Sequence, residues 1–219
     1  LQEAIAGPES LLWSSEGLDP AVATFAEPVS IALQGMARAS VGAGEKVLIL
    51  GAGPIGLATF ICARARGALV AIADPIEQRL AWARAIGAET VVNADADLRA
   101  FVSDWAGGDG PGVVVDAAGS PAALRSAFEL APHAGRVVVV GISSQEVSLP
   151  MSAFTRKEIT VFGSRNSARI FPDAVQVVRE HQREVGRIIT QRVPLEAAAE
   201  TIELALASPE RVEKAVVSL

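Results

Sequence analysis

Cysteine occurs once in 219 residues, at Cys62. A single thiol excludes an internal disulfide framework and fits a reducing compartment, so the cytoplasm is the expected location. Histidine occurs twice, at His133 and His181, and neither stands at metal-ligand spacing from Cys62 or Glu27. Cations are in the minority: 19 basic against 25 acidic residues give a net charge of −6, with no basic run. Nucleic acid and anionic membrane surfaces are therefore not expected partners. The long uncharged run VLILGAGPIGLATFICA is broken by glycines and a proline and is followed at once by arginines. It reads as a strand, turn and helix of a soluble protein rather than a membrane span. There is no repeat and no low-complexity tract. No charged-then-apolar leader opens the chain, which argues against a signal peptide. The first residue is Leu1, so the expectation is a piece of something longer, or a processed product.

Half of the residues are hydrophobic, enough to bury a sizeable core. Apolar runs of strand length alternate with helical patterns through the middle of the chain: KVLIL (46–50), ALVAIAD (68–74), TVVN (90–93), GVVVDAAG (112–119), GRVVVVG (135–141) and ITVFGS (159–164). Strands apolar on both faces and separated by helices predict an α/β fold, a doubly wound parallel sheet of six strands covered on both sides. The two ends differ from this middle. Residues 1–26, opening on LQEAIAG, have no sheet of their own to join. Residues 165–219 give helical patterns around FPDAVQVVREH and PLEAAAETIELALA, then a strand-like KAVVSL. Both ends are expected to be remnants of a second domain flanking the 27–164 unit.

The turn GAGPIG (Gly51, Gly53, Pro54, Ile55 and Gly56) follows a buried strand and opens a helix. The next strand ends in an acid, Asp74, close to the ~20 residues that separate the two parts of a dinucleotide fingerprint. Each glycine has a task there. Gly51 permits the tight turn, Gly53 lets backbone approach a pyrophosphate, and Gly56 lets helix and strand pack closely. The helix N-terminus adds amide donors and partial positive charge. A carboxylate at Asp74 accepts hydrogen bonds from a ribose diol and repels a 2′-phosphate, which favours NAD over NADP. Arg79 argues the other way if it pairs with a phosphate; stacking on adenine or solvation are its alternatives. The expected domain over 27–164 is an NAD-binding Rossmann unit.

The order AEPVSIALQG, GEKVLILGAGPIGLA, DPIEQRLAWARAIGA, VVVDAAGS, GRVVVVGI, FTRKEITVFGSRN and KAVVSL resembles the medium-chain, zinc-dependent alcohol dehydrogenases. Within them it is most similar to the sorbitol dehydrogenase-like branch that acts on polyols, sugars and sugar acids. The resemblance implies NAD- and zinc-dependent oxidation of a secondary alcohol by hydride transfer. It places Ile55 near the nicotinamide and Ala118 near adenine, with Val140, Gly141, Ile142 and Phe162 flanking the nicotinamide. Lys214 corresponds to a basic position that reaches the pyrophosphate, or is a solvated surface lysine. The VSLPM segment resembles an edge strand through which such enzymes pair their sheets, so a homodimer or homotetramer is expected.

Glu27 takes its sharper meaning from the same resemblance, as an acid at the catalytic zinc. Read locally, it is an acid before Pro28 in the first turn of a helix, suited to the helix dipole. The family's other zinc ligands come from an N-terminal domain that has no counterpart here, so no catalytic residue is assigned in this chain. Arg165 and Asn166, just beyond the sixth strand, are placed near the nicotinamide. There a guanidinium can bind a substrate carboxylate by a two-bond fork, or pair structurally across an interface. Two further readings stay open: a stand-alone NAD(H)-binding module without turnover, and a zinc-free NADPH reductase of the same fold.

Overall fold

The computed structural model describes residues 6–108, 110–167 and 169–218, so the start of the LQEAIAG segment and Leu219 lie outside the described residues. Helix α1 (Pro20–Ala23) is capped by Asp19, whose side chain accepts from the Ala21 N–H. Helix α2 (Ala26–Arg38) follows, with Glu27 in its first turn. Pro28 is tolerated there because the first-turn N–H groups have no intrahelical acceptor. Strand β1 (Lys46–Leu50), α3 (Pro54–Ala65), β2 (Leu69–Asp74), α4 (Glu77–Ala85) and β3 (Thr90–Asn93) form the first half of the domain. Helix α5 (Leu98–Ala106), β4 (Val113–Asp116), α6 (Pro121–Leu130), β5 (Arg136–Val139), a short α7 (Ser152–Thr155) and β6 (Thr160–Gly163) form the second. The six strands pair in the order β3-β2-β1-β4-β5-β6, all parallel. That is the doubly wound order of a dinucleotide-binding sheet, with its switch point between β1 and β4.

Helix α3 shows why the sheet needs two layers above it. Gly56 through Ala63 are all buried, so the helix is apolar on every side and must be covered on every side. The sheet covers one flank. Helix α2 covers the other with Val29, Ala32, Leu33 and Met36. The larger of these side chains, Val29, Leu33 and Met36, each contribute about 1.5–3 kcal/mol by burial. Cys62 sits in this seam, its Sγ 3.8 Å from the Val29 carbonyl, and burial pushes the thiol up to about 12. It is a core residue, inert at neutral pH. The opposite face of the sheet packs on α5 and α6 through Val102, Ala127, Phe128 and Leu130.

Helix α8 (Phe171–Glu180) buries Ala174 and Val178 and lies against α2. Helix α9 (Gln182–Ile188) leads into β7 (Ile189–Pro194), and α10 (Ala198–Ala207) leads to β8 (Lys214–Ser218). The strands β7 and β8 pair in parallel as a separate two-stranded sheet. Large exposed apolar side chains gather at the two ends and beyond β5: Leu11, Leu12, Trp13, Ile142, Met151 and Leu206. The VSLPM segment forms no strand; residues 147–150 are irregular and run into α7. A strand needs a hydrogen-bonding partner, and among the described residues β6 pairs only with β5. No helix among the described residues is long and apolar enough to cross a membrane.

Candidate functional site

At the C-terminal end of β1 the chain turns sharply. Gly51 has φ +105°, a left-handed value that strains any side chain, and its N–H donates to the Ala73 carbonyl at 2.7 Å. The turn then closes on itself. A Cβ added at Gly56 would lie 1.9 Å from the Gly51 carbonyl oxygen, so only glycine fits at the start of α3. Gly53 precedes Pro54 as the N-cap of α3, and no side chain caps the helix. Its first-turn amides therefore have no side-chain partner, the arrangement in which a helix N-terminus can take an anion. A Cβ at Gly53 would meet nothing within 4 Å, so this position faces open space.

Two buried acids hold the neighbouring strand ends. Asp74 closes β2; one carboxylate oxygen accepts from the Ala52 N–H and the other from the Ile76 N–H, both at 2.8 Å. The first of these bonds ties the acid to the glycine turn itself. Asp116 closes β4 and accepts from the Ala118 and Gly119 N–H groups, both at 3.0 Å. Burial pushes its carboxyl above the usual range, opposed by those two hydrogen bonds. The loop it holds passes so near the end of β5 that a Cβ on Gly141 would lie 2.2 Å from the Gly119 nitrogen.

These pieces enclose a cleft of about 470 Å³ whose lining includes Gly53, Pro54, Asp74, Arg79, Asp95 and Ala118. It opens at the carboxyl ends of the strands beside the switch point, where doubly wound sheets bind ligands. The Arg79 guanidinium reaches back toward two acids: its Nη1 is 3.8 Å from Asp74, its Nε 3.9 Å from Glu213. The turn, Asp74, Arg79 and Ala118 are thus brought together. Ile55 is partly buried against the core at the head of α3, and Val140 is buried at the end of β5. Phe162 is partly buried on β6, whereas Ile142 is 75% exposed. Arg165 and Asn166 are exposed beyond β6, and Lys214 opens β8 next to Glu213. None of Ile55, Val140, Phe162, Ile142, Arg165, Asn166 and Lys214 lines the cleft.

Glu27 is exposed in the first turn of α2, and its carbonyl accepts from the Ser30 hydroxyl at 2.7 Å. Among the described residues no three histidine, cysteine or acidic side chains converge to hold a metal. His133 is exposed and His181 pairs with Glu184 at 3.7 Å. The donor set among the described residues does not fit a zinc centre, which needs at least three protein ligands. The cleft, by contrast, fits a dinucleotide: a cradle that a Cβ would fill, uncapped amides for a pyrophosphate, and a carboxylate for a ribose. A further cleft of about 440 Å³, between α6 and residues 148–157, is lined by Arg99, Arg125, Arg156 and Lys157 and contains no part of the glycine turn.

Two residues of the site were not found by reading the sequence. Asp116 carried a signal that went unused, since it ends a buried strand as Asp74 does. Glu213 carried none. It lies in the polar run ERVEK, yet its carboxyl is fully buried and its oxygens have no hydrogen-bond partner among the described residues. Burial, and secondarily the charge of Asp74, push it up to about 8 against the pull of Arg79.

Comparison with known proteins agrees with the fold. Residues 54–180 match the family described as zinc-binding dehydrogenase, and the chain belongs to that family. It is 33% identical over 207 residues to the L-galactonate-5-dehydrogenase of Escherichia coli K12, covering 92% of this chain and 60% of that enzyme. It is 32% identical over 185 residues to the L-arabinitol 4-dehydrogenase of Hypocrea jecorina, covering 81% of this chain and 49% of that enzyme. Among solved structures, an alcohol dehydrogenase of E. coli CFT073 complexed with NADH superposes with a TM-score of 0.88 at 27% identity. That match covers 97% of this chain and 64% of the other. The chain therefore spans about half to three-fifths of the length of the curated relatives it matches.

Proposed function

We propose that this chain is the cofactor-binding part of an NAD-dependent, zinc-type dehydrogenase that oxidises a secondary alcohol of a polyol, sugar or sugar acid. The observation that carries the reading is the cleft in which the Gly51–Gly56 turn and Asp74 meet, linked by the hydrogen bond from Ala52 to Asp74. Gly53 and the first-turn amides of α3 would hold the pyrophosphate. Asp74 would accept from the ribose diol, and Ala118 would lie beside adenine. Ile55, Val140, Gly141, Ile142 and Phe162 are proposed for the nicotinamide end, and Lys214 for the pyrophosphate. When bound, NAD supplies the hydride acceptor; these residues bind and orient it.

Zinc is proposed for the whole enzyme on the strength of the family. The role of Glu27 at that metal requires ligands from outside the described residues, and no step is assigned to it here. Exposed Leu11, Leu12, Trp13 and Leu206 support a neighbouring layer of protein, from more of the same polypeptide or a second copy. A homo-oligomer in the cytoplasm is the matching expectation. The relatives that act on an arabinitol and a galactonate support the polyol and sugar-acid class for the substrate.

Arg165, exposed beyond β6, is proposed to grip an acidic substrate by a two-bond fork. The test uses the protein at its native length, supplied with NAD⁺ and zinc and offered polyols and aldonates, with reduced nicotinamide as the readout. Oxidation of one of these classes is expected, and Arg165→Ala should weaken acidic sugars on the order of tenfold or more relative to neutral polyols. Equal losses for both classes would remove Arg165 from the substrate site. Turnover with NADPH and enones in place of NAD⁺ and alcohols would replace the whole reading.

A further inference from the structure

Glu213 stands out among the described residues as a buried acid without hydrogen bonds to its carboxyl. Its side chain is fully buried, and neither carboxyl oxygen has a hydrogen-bond partner among the described residues. An uncompensated buried carboxyl is costly, so its neighbours define what it does. Its backbone N–H is fixed by the Thr190 hydroxyl at 3.0 Å, which anchors the start of β8 to β7. Its carboxyl faces the Nε edge of Arg79 at 3.9 Å, and that Nε is itself buried without a hydrogen bond. The other end of the same guanidinium faces Asp74 at 3.8 Å. Arg79 is thus held between two acids, one inside the cofactor cleft and one behind it.

This matters because Arg79 is the cation among the described residues lining the cleft, where Asp74 and Asp95 are the acids. A 2′-phosphate on the adenosine ribose would need a free guanidinium to offset its charge. We propose that Glu213 is a positioning residue for cofactor choice: it holds Arg79 by its Nε edge, away from the place a 2′-phosphate would occupy, and so sharpens selection of NAD over NADP. Glu213 itself does not line the cleft and acts only through Arg79. The inference rests on the NAD reading above.

The charged groups that face the Glu213 carboxyl are Arg79 from α4 and Asp74 from β2, with Lys214 following it on β8. With the carboxyl pushed up to about 8, it is neutral at lower pH and grips Arg79 as an anion only above that value. Discrimination against NADPH should therefore strengthen as pH rises through about 8.

The experiment titrates the protein with NADH and with NADPH, by nicotinamide fluorescence, on either side of pH 8. Above pH 8, where the carboxylate is charged, Glu213→Ala should shift the ratio of the two dissociation constants toward NADPH by roughly tenfold. The shift should vanish in an Arg79→Ala background, because the acid then has nothing to hold. Glu213→Gln preserves shape and an acceptor oxygen, so it should match the unaltered protein at lower pH and lose the strengthening above pH 8. If Glu213→Ala fails to fold, the Gln variant carries the test: an unchanged pH response would overturn the positioning role. So would equal weakening of both cofactors in the Ala variant, which is what a merely structural residue would produce. A preference of the unaltered protein for NADPH would overturn the NAD reading instead.

Discussion

Gly56→Ala is expected to destroy the nucleotide turn, while Gly53→Ala in the same turn leaves the fold intact and removes binding. The two positions differ in what a methyl group would meet. At Gly56 it would lie 1.9 Å from the Gly51 carbonyl oxygen and 2.9 Å from the carbonyl carbon, and both are backbone. Neither can step aside without opening the turn, and Gly51 is already committed at φ +105°. The expected loss is roughly 3 kcal/mol or more, since overpacking against backbone lies at the costly end of such substitutions. At Gly53 the added Cβ meets nothing within 4 Å, and φ −74° with ψ −178° suits alanine. Stability should stay within about 0.5 kcal/mol of the parent. The methyl would instead point to where the pyrophosphate approaches, and NADH affinity should fall on the order of tenfold or more. Thermal unfolding and NADH titration of both variants check the contrast. A Gly53→Ala protein that binds NADH normally would show that the phosphates lie elsewhere.

Asp74→Ala is expected to lose both stability and cofactor selection. The carboxylate accepts from the Ala52 and Ile76 N–H groups, and Ala52 is fully buried. Removing the acceptor orphans a buried donor inside the glycine turn, at a cost of about 1–3 kcal/mol. It also removes the negative charge that a 2′-phosphate would meet and leaves Arg79 with Glu213 alone. NADH should bind more weakly while NADPH gains or holds. A net change in the ratio of on the order of tenfold is the expected result in side-by-side titrations. Equal weakening of both cofactors would mean that Asp74 serves the turn and not the ribose.

The sheet was legible because its central strands are almost wholly apolar. KVLIL, VVVD and RVVV can be buried on both faces only in a parallel sheet under two helical layers, and β1, β4 and β5 lie there. Gly51 was legible for a similar reason, since a strand that must turn at once into a helix needs a residue free to take positive φ. Beyond residue 164 the reading thinned. Strand β7 was missed because ITQRVP alternates only weakly, and its partner β8 begins at Lys214, twenty residues past its end. VSLPM has strand composition but no partner strand among the described residues, and composition alone does not supply one. Glu213 was invisible because a carboxyl beside Lys214 in a polar run reads as solvated. Only the folded chain brings Glu213, just before β8, beside Arg79 of α4.

The most direct measurement is the side-by-side titration of the unaltered chain with NADH and NADPH. The proposed cleft predicts saturable binding of NADH, tighter than that of NADPH, with Asp74 as the reason. Tighter binding of NADPH, or no binding of either, would contradict it.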